Sequence, residues 1–163
     1  MVPQDGFLFD VSVGENISYG RADCTDADVH AAIDMLGLGP WLATLPNGLD
    51  TKVGERGQSL SVGERQLVSF ARAAVADPGL LILDEATSSV DPQTDVMLTR
   101  ALDRLSEGRT LVSIAHRLST AEASDLVLVF EQGRLAEQGS HDELLARNGL
   151  YKRQHDAWTT ATT

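Results

Sequence analysis

The sequence predicts an α/β fold with a largely parallel sheet, and three observations carry that expectation. Residues 80–83 form a short, continuous apolar run, as expected for a strand covered on both faces, and residues 110–114 read as a second buried strand. Between them residues 93–105 show a helical pattern, which suits the crossover of a βαβ unit. Ahead of both runs, the first half of the chain is mostly helical in its periodicity.

The elements follow in order. Residues 2–4 open in an extended segment, and Asp5-Gly6 is a turn signal. Residues 13–19 read as a short helix capped by Ser12. Residues 26–36 form a helix in which Asp26 is the N-cap, Val29, Ile33 and Leu36 share a face, and Gly37 is the stop. Residues 41–45 add a turn or two. Residues 47–58, polar and glycine-bearing, read as a loop. A longer helix starts at Ser61 or Val62, runs to about Ala76 and is ended by Asp77-Pro78-Gly79. Residues 126–131 and 134–138 flank Gln132-Gly133 as a hairpin. Residues 141–147 form a helix capped by Ser140, and the tail from Trp158 is expected to fray. No internal repeat and no low-complexity linker interrupts the chain.

Composition narrows the function classes. The chain has 163 residues, about one domain by length, and 42% of them are hydrophobic, enough to bury a core. A net charge of −11 argues against nucleic acid as a partner, because that affinity comes largely from Lys and Arg on phosphates. The acidity reads instead as a solvated surface. Cys24 is the only cysteine, which excludes an intrachain disulfide and a cysteine-based metal site. No apolar run approaches the roughly 18 residues of a membrane span, and no charged region followed by an apolar one marks a signal peptide. The only lysines are Lys52 and Lys152, neither of them in a Gly-Lys-Ser/Thr context, so these residues contain no P-loop.

Several stretches carry chemistry. Leu60-Ser-Val-Gly-Glu-Arg-Gln66 sits at the start of the longer helix. Ser61 can cap it, Gly63 lets a ligand approach the backbone, and the first-turn amides suit an anion. The run at residues 80–83 delivers Asp84 and Glu85 to the C-terminal end of a strand, where open α/β sheets bind ligands. Asp84 could hold Mg²⁺ through water, and Glu85 could orient or deprotonate an attacking water. The plain alternative is a strand ending in a solvated acidic turn. His116 follows the second strand and could meet a γ-phosphate, or serve structure only. Gln4, on a loop, says little by itself.

Their order says more. Val2-Pro-Gln4, Leu60 to Gln66, Asp84-Glu85, Ser88-Ser-Val-Asp91 and His116 together resemble the nucleotide-binding domain of ATP-binding cassette (ABC) transporters, over residues 1 to about 155. The resemblance implies an α/β, P-loop NTPase-like parallel sheet, incomplete here because the P-loop strand is missing, with an inserted helical subdomain carrying the ABC signature. It implies a division into 1–11 (Q-loop), 12–77 (helical subdomain and signature helix), 78–140 (Walker B, D-loop and H-loop core) and 141–163 (C-terminal helix and tail). Gln4 is then similar to the Q-loop glutamine, which binds Mg²⁺. Leu60, Ser61, Val62, Gly63 and Glu64 resemble the signature, with Val62 in place of a glycine and Glu64 in place of a glutamine. Asp84 resembles the Walker B metal ligand and Glu85 the catalytic glutamate. Asp91 closes a D-loop, and His116 resembles the switch histidine. Phe7-Leu-Phe9 with residues 12–20, and Thr51-Lys-Val-Gly-Glu-Arg-Gly57, resemble the exporter branch.

What the resemblance implies for function is ATP hydrolysis with Mg²⁺, coupled to transport at the cytoplasmic face of the plasma membrane. The implied partners are a second cassette, paired head to tail, and the transmembrane domains of an exporter on the same or a separate chain. In that pairing the signature faces a nucleotide held by the partner's P-loop. The 163 residues start at the Q-loop and resemble the C-terminal part of a cassette, so the polypeptide alone is expected to be inactive. The rival expectation is a non-catalytic interaction protein that pairs with an intact cassette through its signature. A DNA-repair ATPase is the weaker rival, opposed by the exporter-like 51–57 stretch and the lack of heptads. Without a central strand, two apolar strands keep open edges. The isolated polypeptide is therefore expected to be marginally stable or aggregation-prone, and a cooperative thermal transition well above physiological temperature would contradict this.

Overall fold

Helix starts are set by short polar side chains followed three residues later by an acid. In the computed structural model, which describes residues 7–84, 90–115 and 118–161, the helices are α1 (Val13–Ser18), α2 (Asp26–Leu36), α3 (Gly39–Leu42), α4 (Val62–Ala76), α5 (Pro92–Ser106), α6 (Leu118–Glu122), α7 (His141–Ala146) and α8 (Leu150–Ala161). Ser12 with Glu15, Thr25 with Asp28, Ser61 with Glu64 and Ser140 with Glu143 form reciprocal capping boxes at α1, α2, α4 and α7. Each box gives acceptors to N–H groups that a helix leaves unpaired. The cap of α2 is Thr25, not Asp26: Thr25 is extended and its hydroxyl accepts from Asp28 N–H at 3.3 Å, whereas Asp26 is already helical. Gly37, at φ +69°, ends α2 as expected.

The chain divides into two compact units, Met1–Ile114 and Ala115–Thr163. In the first, α4 is the hub and packs against α1, α2 and α5. Its buried face carries Leu67, Val68 and Ala71, which join Val13, Ile17, Ile33, Leu36, Leu98 and Leu105 in one core. Strands β1 (Leu80–Asp84) and β2 (Thr110–Ile114) pair in parallel, with Leu80 opposite Thr110 and Asp84 opposite Ile114. Leu81 and Leu83 are buried, but Leu80, Ile82, Val112 and Ile114 are 38–54% exposed. The expectation of strands covered on both faces is therefore corrected. Side chains alternate along a strand, and among the described residues of this unit only one face of the sheet is buried.

The stretch 47–58 is more ordered than a plain loop. It holds 3₁₀ turns at Gly48–Asp50 and Glu55–Gly57, and Val53 is fully buried. Val13 N–H donates to Thr51 C=O at 3.0 Å and Val53 N–H to Val11 C=O at 3.1 Å, so this segment lies along the entry to α1.

A buried polar node fixes that entry. Asn16, with no exposed surface, accepts Phe9 N–H at 2.9 Å on Oδ1 and donates from Nδ2 to the carbonyls of Phe9 and Ser12, both at 3.0 Å. Arg72 of α4 donates to the Asn16 carbonyl at 2.8 Å, to Asn16 Oδ1 at 3.0 Å and to the Phe7 carbonyl at 3.1 Å. Burial pulls the Arg72 pKa below its ordinary value. A guanidinium remains charged regardless.

In the second unit, β3 (Val127–Glu131) and β4 (Arg134–Gly139) form an antiparallel hairpin. Gln132 and Gly133 at its turn have φ of +50° and +75°, the left-handed pair that such tight turns need. Leu144, Tyr151, Ala121 and Val129 make a small core. Two elements lie outside the sequence expectation. One is α6. The other is α8, which is helical through Ala161 where fraying was expected from Trp158. The Glu137 carboxylate, distant in sequence, accepts Leu150 N–H at 2.8 Å and Tyr151 N–H at 2.9 Å and so caps α8.

Two outcomes follow. Asn16→Ala strands the Phe9 amide and the Arg72 guanidinium and should cost about 3 kcal/mol, read as a lower denaturant midpoint at unchanged m-value. Glu15 is pulled from 4.5 to about 2, first by the Ser12 N–H, then by the Ser12 hydroxyl and Lys52. Asp28 is pulled from 3.8 to about 2, first by the Thr25 hydroxyl, then by its N–H and by Arg21. Both folded-state values are depressed, so this stability is present above the unfolded values and is lost as pH falls toward about 2. A Glu15→Gln, Asp28→Asn variant should show a shallower loss of denaturant midpoint across that window.

Candidate functional site

The N-terminus of α4 is built from its cap outward. Ser61 is extended (φ −63°, ψ 166°), and its hydroxyl accepts Glu64 N–H at 3.2 Å. Glu64 returns the contact: Oε2 accepts Ser61 N–H at 2.8 Å, while Oε1 accepts Trp41 Nε1–H from α3 at 3.2 Å. Both oxygens of this carboxylate are thus held by protein donors. Leu60 is buried and its carbonyl accepts Arg65 Nη1–H at 2.9 Å, which anchors the residue before the cap. Ser61 itself is exposed, and Val62 beside it is 38% exposed. The Ser61 hydroxyl accepts one bond and keeps its own O–H available to donate.

Gly63 is the second residue of α4, in its first turn, and is buried. A Cβ at this position would collide with Thr94 Cγ2 and stand 2.9 Å from Val90 Cγ1. The absent side chain brings α4 against the start of α5. Asp91 opens that helix: its carboxylate accepts Gln93 N–H at 3.1 Å and Thr94 N–H at 3.0 Å. Those bonds, that of Thr94 foremost, hold Asp91 below the usual carboxylate range. Two capped helix N-termini therefore lie side by side, joined through Gly63, Val90 and Thr94.

Asp84 belongs to a different element. It is the last residue of β1, half-buried, in register with Ile114. The two parallel strands thus end next to each other. Gln4, Glu85, Ser88, Ser89 and His116 lie outside the described residues. The structure brings Ser61, Gly63, Val90 and Asp91 together and sets Asp84 at the sheet end. Sequence reading missed Trp41, Arg65 and Thr94. The Ser61-x-x-Glu64 spacing announces the capping box, but no local signal gives the tertiary partners of Glu64 and Gly63.

Gly63→Ala should destabilise the protein by about 1–3 kcal/mol through overpacking, and adding Thr94→Ser, which removes the obstructing methyl, should recover part of that loss in a double-mutant cycle.

The chain is similar to known proteins over nearly all of its length. The family model described as "ABC transporter" matches residues 1–88. An ATM1-type heavy metal exporter of Novosphingobium aromaticivorans is 50% identical over 151 residues, covering 93% of this chain and 25% of that protein. An ATP-dependent lipid A-core flippase of Burkholderia orbicola is 48% identical over 155 residues, covering 95% of this chain and 26% of that protein. Among solved structures, a bacterial Atm1-family ABC exporter with ATP bound superposes with a TM-score of 0.82 at 49% identity, over 93% of this chain and 27% of that one. The chain spans about a quarter of the length of the relatives it matches. Among the described residues no helix is long and apolar enough to cross a membrane.

Proposed function

This chain belongs to the ABC transporter family, and from that premise we propose that it is part of the ATP-hydrolysing cassette of an exporter. In this reading it works at the cytoplasmic face of a membrane, with transmembrane domains on the same or a separate chain. The observation that carries the reading is the N-terminus of α4. An exposed serine cap keeps a donor free, a glycine is held in the first turn, and the neighbouring carboxylate of Glu64 is already occupied by Trp41 and the Ser61 amide. A helix N-terminus favours an anion through its oriented amides and dipole. Occupation of Glu64 by two donors limits the repulsion that its charge would otherwise add there.

The roles divide by residue. Ser61 and Gly63, with Leu60, Val62 and Glu64 framing them, bind the γ-phosphate of a nucleotide carried by a second cassette in a head-to-tail pair. Asp84 and Gln4 serve Mg²⁺, whose preference for oxygen donors they meet. Glu85 orients or deprotonates the attacking water, and His116 contacts the phosphate being transferred. Asp91 sets the start of α5 against the signature turn, supported by its two amide bonds. When bound, ATP and Mg²⁺ supply the phosphoryl group and the charge neutralisation. What this chain adds is positioning and hydrogen bonds.

The test uses Ser61→Asp. Aspartate caps a helix as well as serine does, so the fold should hold, but it places negative charge where the phosphate would sit. Mixed with a P-loop-bearing exporter cassette and Mg-ATP, the chain as it stands should form an ATP-dependent pair, and Ser61→Asp should weaken pairing at least about tenfold. Pairing indifferent to Ser61→Asp would sink the assignment of the signature. ATP turnover by the 163-residue polypeptide alone would show that a partner's P-loop is not needed. Pairing that abolishes the intact cassette's own turnover would instead favour a non-catalytic interaction protein.

A further inference from the structure

We propose that Glu122, His141 and His155 form a binding site for a divalent d-block cation of the Zn²⁺ class, separate from the nucleotide chemistry. The three residues come from three helices of the second unit: Glu122 ends α6, His141 begins α7 and His155 lies in α8. Each offers one ligand atom, and these atoms all lie within 4.8 Å of one another. His155 Nε2 and Glu122 Oε1 are 3.5 Å apart. Two donors sharing one Zn²⁺ at about 2.0–2.1 Å in tetrahedral geometry stand about 3.4 Å apart, so this pair is already at ligand spacing. The third needs side-chain movement on the order of an ångström.

Two further observations, at His141 and in the core, point the same way. His141 Nδ1 is 2.8 Å from the hydroxyl of Tyr151, a residue only 4% exposed. With Nδ1–H donating to that oxygen, Nε2 carries the lone pair, which is the usual outer-sphere arrangement of a metal-binding imidazole. His155 Nδ1 is buried with no hydrogen-bond partner within bonding distance, and Asp156 Oδ1 stands 3.6 Å away. With Nε2 as the ligand atom, this Nδ1 lacks the outer-sphere acceptor that Tyr151 gives His141. The surrounding core is also small, with Ala121, Val129, Leu144 and Tyr151 as its buried apolar members. A unit of this size gains from a cross-link, and an ion here would tie α6, α7 and α8 together.

The donor set decides the class of ion. Two imidazoles and one carboxylate suit Zn²⁺ and its borderline neighbours, and suit Mg²⁺ poorly. The fourth position is left to water.

The experiment is calorimetric titration of Zn²⁺ into the full 163-residue chain after chelator treatment. One equivalent should bind saturably in the micromolar range and raise the melting temperature, and Mg²⁺ at equal concentration should do neither. Glu122→Gln, at a 43%-exposed side chain where folding risk is low, should abolish the isotherm. His155→Ala should do the same, and His155→Cys, which keeps a donor, should restore it. Tyr151→Phe should weaken binding roughly tenfold to hundredfold. Cys24 and His30 belong to the other unit, so a Cys24→Ser, His30→Ala variant should bind as the parent does. The proposal is overturned by the absence of saturable heat up to millimolar Zn²⁺. It is equally overturned by a Glu122→Gln or His155→Ala variant that binds like the parent.

Discussion

Asn16 is a short side chain with no exposed surface, and its polar atoms are committed to three elements at once. It holds the extended Phe7–Phe9 segment against α1 and receives Arg72 from α4. Arg72 in turn reaches back to the Phe7 carbonyl. A half-buried guanidinium and a buried amide are each costly alone, and each is tolerable here because the other helps satisfy it. The constraint extends to backbone packing: a Cβ on Gly20 would collide with the Arg72 carbonyl, so α1 can end against α4 only with glycine there. The Phe7–Phe9 segment, α1 and α4 are thereby one mechanical piece.

That piece matters because the candidate phosphate-binding turn is the far end of the same helix. α4 carries Arg72 near its C-terminus and Ser61 at its N-cap. Its register, set by Asn16 at one end and by the Leu60–Arg65 and Trp41–Glu64 contacts at the other, fixes where Ser61 and Gly63 stand. Gly63 then transmits position to Val90, Thr94 and the cap of α5. Movement of α4 and movement of the start of α5 are coupled by contact between close-packed atoms. Such a contact fits a site whose ligand is to be sensed by both helices.

The sheet is the open side of the first unit. Leu81 and Leu83 are buried in the core of this unit, while Leu80, Ile82, Val112 and Ile114 present a half-exposed apolar face. The second unit has a similar asymmetry, with Leu128, Phe130 and Leu135 exposed on its hairpin. Its stability rests on a small core, on the Glu137 cap of α8 and on the polar cluster around His155.

By itself the sequence determined most helix and strand positions, though not α6 or α8, and the identity of the family. Capping spacings such as Ser61-x-x-Glu64, stop signals such as Gly37 and the Gln132-Gly133 turn are local, and local backbone chemistry acts over a few residues wherever the chain goes. The family was legible for the same reason, since the ordered stretches that carry the resemblance are read along the chain. Thr25 displacing Asp26 as a cap was a one-residue error of the same local kind. Only the tertiary structure decided the rest: which strand face was covered, that Glu137 caps α8, that Trp41 occupies Glu64, that Thr94 requires Gly63, and that Glu122, His141 and His155 converge. These are contacts between residues far apart in sequence, and their energies depend on burial and distance, which no spacing along a chain encodes.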